Sequence, residues 1–194
     1  MKRCIVSLLI GGLIMMSVSS QTAQSTQTAQ SKTIVAYFSC TGNTKKLAAA
    51  TASALNADLH EIIPLQAYSN ADLNWNDSKS RSTIECNDTT SRPKIKNSID
   101  ISSYDTVILA YPIWWGLAPK ILYTFVESND FQGKNLIALC TSGGSGLGRS
   151  GTELANLAKK TNGKNAKQVE YKGGKAFSTR ATEDEIKKYI LSIM

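Results

Sequence analysis

A single histidine and the absence of any CxxC pair set the first limits on this chain of 194 residues. His60 falls in the middle of an expected strand, where it reads as a structural or surface residue. No serine has glycine at both −2 and +2, so the nucleophile elbow of a hydrolase is missing. Cys4 precedes the first apolar run, which leaves Cys40, Cys86 and Cys140 for the folded part. An odd number without metal-ligand spacing argues against a disulfide scaffold or a zinc site. Cys40 and Cys140 fall at strand ends, where small buried thiols are common. Cys86 lies in a long polar stretch, where one bridge to another cysteine stays open. The paired lysines (45–46, 159–160, 187–188) have no aromatics between them, and nothing resembles a nucleic-acid motif. They read as a solvated surface, with a docking face for an acidic partner as the alternative.

The apolar run from Ile5 to Val18 is too short to span a bilayer comfortably. With the basic start Met1-Lys2-Arg3 and the small residues Val18-Ser19-Ser20, residues 1–20 are expected to be a Sec-type signal peptide. There is no twin arginine, so export in the unfolded state is expected, with any cofactor acquired outside. The protein is therefore expected to be periplasmic or extracellular, with no stable membrane span after cleavage. Residues 21–32, in which QTAQS appears twice, read as a flexible tether. The folded domain is expected over 33–194. Of 22 basic residues, 20 remain after Lys2 and Arg3 are lost, against 15 acidic ones, a balance of +5.

Strands and helices alternate along that domain. Strand patterns fall at 33–39, 58–64, 106–112, 135–141 and 168–173; helical patterns fall at 44–56, 119–128, 152–161 and 183–193. Such alternation predicts an α/β fold with a parallel sheet and helices on both faces. The exception is 65–104, rich in Asn, Asp, Ser and Thr, which reads as a long irregular insert. Tyr68, Leu73 and Trp75 are expected to pin it to the body, as a partial lid.

Three loops then follow strand ends, where doubly wound sheets bind ligands. In the first, Ser39, Thr41, Gly42, Asn43 and Thr44 converge on a helix N-terminus, an anion-binding arrangement. Lys45 and Lys46 in the first helical turn oppose the helix dipole unless an anion sits there. A Walker pattern is absent, and so is a dinucleotide fingerprint at this loop. Gly146 to Gly151 matches G-x-G-x-x-G, but five residues separate it from its strand, in the fourth unit of the chain. The second loop, Pro112-Ile113-Trp114-Trp115-Gly116, offers stacking rings. The third, Thr141-Ser142-Gly143-Gly144, offers compact backbone donors. Phosphate at the first and a flat group over the other two suit a planar, hydrogen-bonding heterocycle that carries a phosphate, such as FMN.

Ser39-Cys40-Thr41-Gly42-Asn43-Thr44 resembles the phosphate loop of flavodoxins, and the PIWWG and TSGGSG segments resemble the flavin-side loops of a long-insert branch of that family. The resemblance implies a doubly wound five-stranded sheet of order 2-1-3-4-5, noncovalent FMN and one-electron transfer. It implies phosphate contacts from Ser39, Thr41, Gly42, Asn43 and Thr44. Pro112, Ile113, Trp114, Trp115 and Gly116 would line the ring, and Thr141, Ser142, Gly143 and Gly144 would reach its pyrimidine edge. Gly116 is the candidate for a peptide that turns with redox state. The chain departs from the family in being basic, in placing Arg149 on the third loop, and in lacking the second stacking aromatic there. A cation beside the ring would raise its potential.

The expected function is thus an exported, monomeric FMN-dependent electron carrier whose partner is a redox protein, acidic in character, or a small acceptor. An FMN-dependent reductase of quinones or other small acceptors, and a non-redox ligand-binding protein on the same fold, are the alternatives. Neighbouring residues of an extended segment point to opposite sides. One of Trp114 and Trp115 is therefore expected to cover the ligand and the other to anchor the loop.

Overall fold

The computed structural model describes residues 31–161 and 167–194; the expected signal 1–20 and the tether up to residue 30 lie outside them. Five strands and five helices follow in chain order: β1 (Thr33–Tyr37), α1 (Asn43–Leu55), β2 (Asp58–Glu61), α2 (Arg81–Asn87), β3 (Thr106–Pro112), α3 (Lys120–Glu127), β4 (Asn135–Ser142), α4 (Ser150–Thr161), β5 (Glu170–Ser178) and α5 (Glu183–Ile193). All strands pair in parallel, in the order β2-β1-β3-β4-β5. This is the expected α/β architecture and strand order.

The order explains the composition of each strand. β1, β3 and β4 are central and covered on both faces, so they read as unbroken apolar runs buried almost throughout. Alternate side chains go to opposite layers. Ile34, Ala36 and Leu109 face the layer of α3 and α4, with Leu122, Phe125 and Leu154. Val35, Ile108 and Ile137 face α1 and α5, with Leu47, Ile186 and Ile190. β2 is an edge strand with three of four residues exposed, His60 among them. α5 opens on a capping box, in which Thr182 and Glu185 satisfy one another's backbone N–H groups.

Two elements differ from the sequence expectation. β5 does not stop at the Gly173-Gly174 pair but runs to Ser178, with a bulge where it passes Leu136 and Ile137. A Cβ on Gly174 would lie 2.0 Å from the Ala138 carbonyl oxygen, so this glycine permits close strand approach instead of ending the strand. Within 65–104, α2 forms where no helix was expected. Its stripe is weak because Ile84 faces solvent, but Ser80 caps it by accepting from the Thr83 N–H at 3.4 Å.

The insert is tied down at several points. Pro64 bridges to Ile95, Arg92 grips Glu127 through two short bonds, and Ile99 and Ile101 are buried. Among the described residues Cys40, Cys86 and Cys140 are all free thiols, so Cys86 forms no bridge to either of the other two. Among the described residues no helix is long and apolar enough to cross a membrane.

Candidate functional site

The carboxyl ends of β1, β3 and β4 bring the three sequence loops to one edge of the sheet. At the first, α1 begins with Gly42 at φ 85° as its N-cap, and no side chain caps the helix. No acidic residue lies in the first turn either, so the leading N–H groups have only their own loop for company. Ser39 Oγ accepts from Gly42 N–H at 3.2 Å, and Asn43 Nδ2 donates to Thr41 Oγ1 at 3.3 Å. These bonds shape the loop while leaving the Ser39 hydroxyl proton uncommitted. Thr44 is buried and shares a 2.7 Å hydrogen bond with Thr141 at the end of β4. In such a pair one hydroxyl proton is used and the other stays available for a third partner.

The second loop is a tight hairpin. Trp114 N–H donates to the Leu117 carbonyl and Leu117 N–H to the Trp114 carbonyl, at 3.0 and 2.9 Å. The two residues between them, Trp115 and Gly116, both have positive φ, 50° and 75°. That is the geometry of a type I′ turn, which glycine accepts freely and a bulky residue accepts only under strain. The turn fixes the two tryptophans in different settings. Trp114 packs edge-on against Phe38 and Tyr68, with centroids at 5.6 and 5.3 Å. Trp115 is 43% exposed and stands at the rim. Trp114 is therefore the anchor of the pair.

The insert supplies the facing wall. Tyr68 packs on Phe38 and Trp114 and bonds the buried Glu85 carboxylate, which Arg81 also holds at 2.6 Å. The Arg81 guanidinium lies 3.9 Å over the Tyr68 ring, fixing the start of α2 to Tyr68 and, through it, to Phe38 and Trp114. Tyr68 thus pins the insert as expected. Trp75 does not: it is 73% exposed. Together, loop one, loop two and the insert enclose a cavity of about 440 Å³. Thr41 and Thr44 line one part of it, Pro112 to Trp115 another, and Leu73, Trp75 and Ser82 a third, with Cys40 among them. Burial pushes the Cys40 thiol up to about 12, so this wall carries a neutral thiol at physiological pH.

The third loop stands apart. Ser142, Gly143 and Gly144 line a separate hollow of about 260 Å³ with the end of β5. Ser142 Oγ bonds Ser145 Oγ at 3.0 Å and accepts from Gly144 N–H at 3.1 Å, so the loop is organised on itself. Its link to the main cavity is Thr141, through Thr44, and the close pass of Gly148 beside the Gly116 carbonyl. Arg149, read from sequence as a cation for the ring, is 76% exposed and paired with Glu153 at 2.6 Å, and it does not line the cavity. Leu73 and Trp75 were expected to pin the insert as a partial lid, not to line a site, and Ser82 was not expected at all. Trp75 is the one with a visible signal, a large ring in a polar stretch.

The model of the flavodoxin family matches residues 32–193. Among solved structures, a candidate flavoprotein of Bacteroides eggerthii shares 41% identity at a TM-score of 0.73, covering 84% of this chain and 98% of its own. A candidate flavoprotein of Bacteroides uniformis shares 37% at a TM-score of 0.75, with coverage of 83% and 98%. A Lactobacillus acidophilus flavoprotein, solved in complex with FMN, has the same fold at 19% identity and a TM-score of 0.58, covering 82% of this chain and 99% of its own. A search of the curated proteins gave no match.

Proposed function

The chain belongs to the flavodoxin family, and from that premise we propose that it binds FMN noncovalently and works outside the cytoplasm as an electron carrier. The observation that carries this reading is the uncapped N-terminus of α1 opening on a cavity with tryptophan rings at its rim. Free N–H groups, the helix dipole and the Ser39 and Thr41 hydroxyls suit a phosphate dianion. Lys45 and Lys46, unfavourable at a bare helix start, become favourable beside it. Pro112 and Ile113 give an apolar floor for a ring, and Trp115 a stacking face. FMN, when bound, supplies the electron-accepting ring.

The chain's own residues then exclude water from one side of the ligand and fix its orientation. Gly116 lies in a turn whose peptide can reorient at low cost, consistent with a loop that adjusts to the charge of the ring. Cys40, pushed up to about 12 by burial, offers no thiolate there. The basic balance and paired surface lysines suit an acidic redox protein as partner, while the Lys-Arg start and short apolar run support export. One observation favours a second reading, reduction of a small acceptor: loop three brings no ring over the site, which leaves room for a substrate.

Titrating the purified protein into FMN tests the reading through loss of flavin fluorescence. Quenching that saturates at one FMN per chain is expected, and Thr41→Ala with Thr44→Ala should weaken it. Flavin that stays fully fluorescent at excess protein would refute the assignment. If FMN binds, rapid NAD(P)H oxidation with a quinone and no partner protein would favour the reductase.

A further inference from the structure

The wall that the insert contributes has two features its own packing does not explain. Ser82 is 1% exposed and lines the cavity, and its Oγ is the buried side-chain polar atom without a hydrogen-bond partner among the described residues. Buried hydroxyls are nearly always bonded, so one that is not calls for a partner absent from the chain itself. Its position is firm: Ser82 N–H donates to the Asp72 carbonyl at 2.9 Å, and neighbouring Arg81 is clamped to Glu85 and stacked on Tyr68. The second feature is Trp75. A ring 73% exposed leaves a large apolar face in water, yet this one shares a cavity with Trp115, itself 43% exposed.

Two solvent-facing indoles and one orphan hydroxyl around a single cavity describe a site for a flat ligand with a polar edge. We propose that the 65–104 insert is part of the ligand site: Trp75 stacks on the flavin ring and Ser82 Oγ hydrogen-bonds its polar edge. This inference rests on the FMN reading above. It gives the insert a task, and it supplies from between β2 and β3 the second aromatic that loop three lacks. A serine suits the place because its hydroxyl both donates and accepts, and a flavin edge presents carbonyl oxygens as well as ring nitrogens.

The test compares the parent with Trp75→Ala, Trp75→Phe and Ser82→Ala by FMN fluorescence quenching and by thermal midpoint with and without FMN. Trp75→Ala should weaken FMN by about tenfold, the usual scale for losing one stacking ring, and Trp75→Phe should recover most of it. Ser82→Ala should weaken FMN about threefold to tenfold, as for one hydrogen bond. Without FMN its midpoint should be no lower than the parent's, because the substitution removes an unsatisfied buried group. Parent binding with both alanine variants within about twofold of it would overturn the insert's role and leave the FMN reading intact. A Ser82→Ala variant that loses apo stability but keeps FMN affinity would make Ser82 a packing residue and likewise overturn the proposal. A parent that does not bind FMN would remove both readings together.

Discussion

Loops two and three leave adjacent strands of one sheet, yet they solve different problems. Loop two is apolar, bracketed by Pro112 and Pro119, closed by a two-residue turn and packed on Phe38 and Tyr68 through Trp114. Loop three is exposed from Gly143 to Ser145, carries no ring, and is held by its own serines. The cavity follows this asymmetry: it forms where loop two meets the insert, and loop three borders a smaller hollow of its own. In this chain the aromatic surface near loop one is shared between a strand-end loop and an insertion, and strain is stored at Trp115 to present it.

The comparison breaks most severely at Phe38. Its ring is 1% exposed and lies beneath both Tyr68 and Trp114, so Phe38→Ala should cost about 3–5 kcal/mol in urea unfolding. It should also loosen the insert and loop two together, visible as faster amide exchange there but not in loop three.

Next comes Trp115→Gly. Loss of the stacking face should weaken FMN by about 1–3 kcal/mol. Glycine at φ 50° relieves the turn, so apo stability should hold or rise. Ser145→Ala in loop three, by contrast, should change FMN affinity by less than about twofold. Equal losses from both loops would abolish the distinction drawn between them.

The smallest effect concerns the tether of the insert to α3. The hydrogen bond from Arg92 holds the Glu127 carboxyl below its ordinary value, so the folded form favours the carboxylate. Its contribution is present above the ordinary glutamate range and is lost as pH falls through the lowered folded value. At a site about one-third exposed this is worth about 0.5–1 kcal/mol. Urea midpoints of the parent and Glu127→Gln should therefore differ at pH 7 and converge at acid pH.

How far the sequence could anticipate this depended on whether a signal was local. Unbroken runs such as TVILAYP and NLIALCT announce central parallel strands by themselves, and the hydroxyl-rich stretch 39–44 announces the loop that opens α1. The Gly173-Gly174 pair misled because a bulge and a strand end look alike until the neighbouring carbonyl of Ala138 is placed. α2 was hidden because it is held by Arg81, Glu85 and Tyr68, contacts made across the insert and not along one apolar face. Ser82 had no signal at all, since an unpaired hydroxyl is a property of the packed state. The division between Trp114 and Trp115 was expected from strand alternation, but its assignment required the turn.

Of the three tryptophans in the chain, Trp75 and Trp115 are proposed to meet the ligand, and Trp114 packs beneath. A 15N-labelled sample titrated with FMN reads all three indole N–H signals at once. Large shifts are expected at Trp75 and Trp115 and a smaller one at Trp114. Bound FMN that moves neither Trp75 nor Trp115 would contradict this placement.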